Sequence, residues 1–87
     1  MNRIRKGSIV IRGDLNDLGL VIKEEKKSKK GFMLNFIIID KDGRETYWPV
    51  SLKNELTFLA QCRGNIKTLK DAVLEKHEEI IEVLLRK

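Results

Sequence analysis

Eighty-seven residues, 41% hydrophobic and 36% charged, make one small folded domain with a charged surface; the chain is too apolar for disorder and too short for two domains. A single cysteine, Cys62, excludes an internal disulfide and suits a reducing compartment, and with one histidine, His77, it cannot build a four-ligand zinc site. The net charge of +5 is local: residues 1–30 carry nine Lys or Arg against four acids, whereas residues 31–87 carry nine of each sign.

Residues 8–50 hold four strand signals. Ser8–Arg12 is β-branched and bounded by Gly7 and Gly13. Leu20–Glu24 follows Gly19 and turns polar. In Phe32–Ile39 both alternating faces are largely apolar, which predicts a central strand covered on both sides. Thr46–Val50 contains Pro49, which assigns it to an edge or a bend. Asp40-Lys41-Asp42-Gly43 supplies a turn between the third and fourth strands, and Lys26–Gly31 a polar tip between the second and third, so the strands follow one another as an antiparallel meander. Within 51–67, Leu56–Ala60 fits a short strand and a helical turn equally, and Gly64-Asn65 ends whichever it is.

From Thr68 the period becomes helical. Thr68 suits an N-cap, with Asp71 three residues on. Leu69, Ala72, Val73, Ile80, Val83 and Leu84 form one apolar arc, and Leu74, Ile81 and Leu85 widen it to roughly 200°, about twice what packing on one sheet requires. That surplus seam, with His77 on the same arc, predicts an interface made of Leu74, His77, Ile81 and Leu85. It would serve a homodimer or a hetero-partner, unless residues 51–67 fold over it.

Chemistry is sparse. Arg3, Arg5 and Lys6 precede the first strand, and Lys26, Lys27, Lys29 and Lys30 crowd one hairpin tip. With Arg12, and Tyr47 as an exposed ring, they are the candidate nucleic-acid contacts, directed at phosphates because no aromatic interleaves the lysines. The competing reading is a solvated lysine turn that keeps a hairpin edge unpaired. Alternation turns Trp48 inward and Tyr47 outward. His77 lacks a catalytic partner and reads as a packed or interface residue. Asp14–Gly19 meets only part of the calcium-loop pattern and reads as a polar turn. Without paired carboxylates, metal ligands or an activated nucleophile, the chain reads as a non-enzyme with no cofactor. No apolar stretch of signal-peptide length follows the basic start, and the longest apolar run, Phe36–Ile39, is too short for a bilayer, so the expected compartment is the cytoplasm.

Lys6-Gly7-Ser8-Ile9-Val10-Ile11-Arg12, followed by Gly13 through Gly19-Leu20-Val21-Ile22, resembles the opening of small SH3-like barrels, above all KOW-type modules and the small barrel proteins of tailed bacteriophages. The resemblance covers residues 6–50. Asp14, Asn16 and Asp17 stand where KOW loops carry basic residues, which moves any nucleic-acid contact away from this loop. The expected fold is mainly β with a C-terminal α-helix (α+β): an SH3-like five-stranded antiparallel barrel at 6–60 and one long amphipathic helix at 68–86, in a single domain spanning 1–87. The expected function is a binding module for nucleic acid through the basic end. The alternative is a protein-interaction module or inhibitor that uses the helix, one form of it being phage-encoded and acting on a host protein.

Overall fold

The computed structural model describes residues 3–13, 17–26 and 33–86. Strands β1 (Ser8–Arg12), β2 (Leu18–Lys26), β3 (Met33–Asp40), β4 (Glu45–Pro49) and β5 (Leu56–Gln61) form one antiparallel sheet in the order β4-β3-β2-β1-β5. The first four lie where alternation and β-branching predict strands. β2 is longer than its apolar core suggests and holds the centre of the sheet, with β3 beside it; Phe32 lies outside the described residues. The β3–β4 turn is fastened by Asp40, whose Oδ1 accepts from the backbone N–H groups of Asp42 and Arg44, both at 2.9 Å.

Leu56–Gln61 is a strand and not a helical turn. It returns to pair with β1, from Ser8 opposite Gln61 to Arg12 opposite Leu56, with an irregularity at Ile9/Val10. The sheet is nevertheless open, which corrects the expectation of a closed barrel. β4 and β5 are its two edges, and the chain between them forms a 3-10 helix, Val50–Glu55. Pro49, with no N–H to give to a ladder, closes β4 as that helix begins.

Successive side chains on a strand point to opposite faces, so the sheet has two apolar sides. Ile9, Ile11, Leu20, Leu59, Ala60 and Cys62 form one cluster with Leu69, Ala72 and Ile80 from the helices. Val10, Val21, Phe36, Ile38, Trp48 and Leu56 form the other, with Ile4 and Val50 packed against it. Trp48 is 7% exposed and Tyr47 54%, as the alternation of β4 predicts.

The C-terminal segment is two helices, α1 (Leu69–Glu75) and α2 (His77–Leu85), which corrects the single long helix that the apolar period predicts. Thr68 Oγ1 accepts from Asp71 N–H at 3.0 Å, the cap its sequence position predicts. The break falls at Lys76, which leaves helical geometry at φ −111° and ψ 19°. Neither Gly nor Pro marks that position. Leu69, Ala72 and Ile80 are buried on the sheet, and Val73, Val83 and Leu84 pack around them.

Candidate nucleic-acid interface

The directions of the strands decide which charged residues can act together. β1 and β3 run one way, β2, β4 and β5 the other. One end of the sheet therefore collects the start of β1, the end of β2, the start of β3 and the end of β5. The opposite end collects Arg12, the start of β2, the β3–β4 turn and the start of β5.

The first end is basic, and two backbone contacts assemble it. The N–H of Gly7 donates to Val21 O at 2.7 Å, and the N–H of Cys62 donates to Gly7 O at 2.8 Å, which seats the segment before β1 between β2 and the exit of β5. Gln61 Nε2 donates to Lys6 O at 2.8 Å, and Ser8 Oγ donates to Gln61 Oε1 at 2.8 Å. Gly7 is required here: its φ is +89°, and a Cβ would come within 2.7 Å of Gln61 Nε2 and 2.8 Å of Cys62 O. Arg3, Arg5 and Lys6, in the segment before β1, are exposed, and so are Arg63 and Lys67 in the segment after β5. Lys6, Gly64 and Ile66 border a depression of about 260 Å³ whose wall includes buried Cys62.

Lys26 ends β2 at this same end, and exposed Lys23 precedes it. Lys27, Lys29 and Lys30 lie outside the described residues. Glu24 and Glu25 also sit on this part of β2. Asn35 Nδ2 donates to Glu25 Oε1 at 3.4 Å, and Glu24 Oε1 is buried with no hydrogen-bond partner among the described residues.

Arg12 is not part of this group. It lies at the opposite end with its guanidinium 5.8 Å from the Trp48 ring centroid, in a depression that Asp17, Asp40 and Asp42 also line. Glu45 and Glu55 are exposed at the same end. Tyr47 stands on edge strand β4, two residues before its end on the basic side. The pairing of β5 with β1 carries the segment after Gln61, which includes Arg63 and Lys67, to the end of the sheet where residue 6 lies; no local signal in the sequence marks this.

The interface candidates remain in water: Leu74 is 67% exposed, Ile81 42% and Leu85 81%, and His77 is exposed at the start of α2. Residues 51–67 do not cover them. Among the described residues no group of three or more His, Cys, Asp or Glu is placed to hold a metal, and no helix is long and apolar enough to cross a membrane. Asp14, Leu15 and Asn16 of the polar loop lie outside the described residues. Burial first, and then the Glu75 carboxylate, push the Cys62 thiol up, the reverse of what a nucleophile needs.

No protein-family model matches the chain, and no curated protein or solved structure gives a significant match. The strand order is compatible with a small barrel-like fold, but neither a KOW assignment, a phage origin nor a homodimer gains support from these comparisons.

Proposed function

We propose that this chain is a non-enzymatic binding module, SH3-like in its strand order and acting in the cytoplasm, that holds nucleic acid by the phosphate backbone at the basic end of its sheet. One observation carries the reading. Exposed Arg3, Arg5 and Lys6 precede β1, and exposed Arg63 and Lys67 follow β5, at the end of the sheet where β2 ends and β3 begins, while most described acids of the sheet lie at the other end. Segregated charge steers a polyanion to one end and turns it away from the other. Lysines and arginines without stacking rings give backbone contact without base readout.

Affinity for a random duplex is expected at ~10⁻⁴–10⁻⁶ M near physiological salt, falling as salt rises. Fluorescence anisotropy over a salt series tests this. Changing Arg63 and Lys67 to Ser should weaken binding to every sequence alike and flatten the salt slope by up to about 0.9 per lost phosphate contact. Lys26, Lys27, Lys29 and Lys30 changed together to Ser should do the same, and Arg12→Ser should change neither quantity. Absence of binding at about 50 mM salt, where such contacts are strongest, overturns the proposal.

A further inference from the structure

The sheet does not use all of the apolar surface that the helices offer. On α2, Ile80 is 3% exposed in the core, whereas its neighbour Ile81 is 42% exposed and Leu85 81%. His77, Ile81 and Leu85 recur every four residues and so share one side of the helix. Together with Glu78 and Glu82 they line a shallow depression of about 350 Å³.

Carboxylates outnumber cations among the charges beside that row. Glu78 and Glu82 flank it at the same four-residue spacing, and Glu79 adds a third carboxylate on α2. Glu79 lies 3.8 Å from Lys76, and Glu82 pairs with Arg86. No described cation pairs with Glu78.

Two facts choose the occupant. A two-fold pairing of this face with its own copy would bring the Glu78 and Glu82 carboxylates of both copies together, where like charges repel. Nine residues of helix also make a contact only ~13 Å long, short of the ~800 Å² per partner of a stable dimer. A cationic helix meets neither obstacle, and recognition through two or three anchors at helical spacing needs no larger surface. We infer that α2 is a docking face for a basic amphipathic helix of another protein, which lays its apolar side on Ile81 and Leu85 and its Lys or Arg residues along Glu78 and Glu82.

The probe is a labelled Leu/Lys peptide of about 18 residues, long enough to hold a helix, with its leucines at helical spacing. It is titrated beside a Leu/Glu peptide of the same pattern and a scrambled Leu/Lys peptide. Only the patterned Leu/Lys peptide should bind, and Leu85→Ser should weaken it by about tenfold, the loss of one anchor. The double variant Glu78→Lys/Glu82→Lys should exchange the preference, losing the Leu/Lys peptide and gaining the Leu/Glu one. All three positions are solvent-facing, and unchanged thermal unfolding of the variants verifies that they fold. Equal binding of the scrambled peptide would reduce the contact to net charge and overturn the inference, as would indifference to both variants. Concentration-dependent self-association of the wild type that Leu85→Ser abolishes would put a second copy on the face and overturn it too.

Discussion

The two faces of the sheet are closed by different means. The face of Val10, Val21, Phe36, Ile38 and Trp48 is closed largely from within: the sheet's own strands supply most of its cluster, with Val50 from the 3-10 helix and Ile4 from the segment before β1 packed against it. The face of Ile9, Ile11 and Leu20 depends on residues about fifty or more positions away, Leu69, Ala72 and Ile80, for its cover. Side chains on the first face must fit one another closely. On the second, one helix residue is core and the next is solvent, so function has room there to use what folding leaves over.

The sharpest way to break this comparison is to truncate adjacent residues of α2. Ile80→Ala removes a buried side chain from the cover of the second face and should cost about 2–5 kcal/mol in a denaturant titration. Ile81→Ala should cost under about 1 kcal/mol, since it gives up only partial burial and gains the better helix propensity of Ala. Equal losses at the two positions would mean that Ile81 is core as well, and would withdraw the surface offered to a partner.

Local pattern made much of this legible. Alternation and β-branching located β1 through β4, Pro49 marked an edge strand, and Thr68 with Asp71 marked the helix start. What escaped depends on distant contacts. Leu56–Gln61 has too few residues to show a period by itself, and becomes a strand because β1, about fifty residues earlier, offers it a free edge. The same pairing carries the segment after β5, with exposed Arg63 and Lys67, to the end of the sheet where Lys6 lies, and places Arg12 at the opposite end; neither placement is visible in local sequence. Barrel closure failed for a similar reason: the resemblance in residues 6–50 says nothing of whether β4 meets β5. The break at Lys76 has no local signal of the Gly or Pro kind.

A second test addresses the self-closed face. Gly19 lies on β2 where a Cβ would come within 2.3 Å of Ile38 Cγ2 and 3.0 Å of the Trp48 ring. Gly19→Ala should therefore destabilise by about 1–3 kcal/mol through overpacking, although Ala suits a strand better than Gly. Near-ultraviolet circular dichroism should show the Trp48 signal disturbed before the fold is lost. If Gly19→Ala is neutral or stabilising, this face is looser than the packing of Ile38 and Trp48 implies, and the contrast between the two faces weakens.

The smallest effect belongs to the helix-covered face and depends on pH. Cys62 is 5% exposed beneath α1, with Sγ 3.9 Å from Ala72 O, within reach of a weak S–H donor. Burial is the main cause that pushes its thiol up; the Glu75 carboxylate adds to this, and Lys76 pulls the other way. The folded chain thus keeps the Cys62 proton at a pH where the unfolded chain, whose thiol titrates at about 8.5, has begun to release it. The unfolded state then binds fewer protons, so stability falls as pH rises from the unfolded value through the folded one and is unaffected well below it. Cys62→Ala removes that slope. The stability difference between wild type and Cys62→Ala should accordingly be constant at neutral pH and shift against the wild type above about pH 8.5. In parallel, the native thiol should react slowly with a disulfide reagent and quickly once α1 is detached by mild denaturant, because the helix that hides Cys62 is the same cover that Ile80 helps to hold. Two stability curves that stay parallel into alkaline pH, or a native thiol that reacts at the rate of the unfolded chain, would show that α1 does not seal this face.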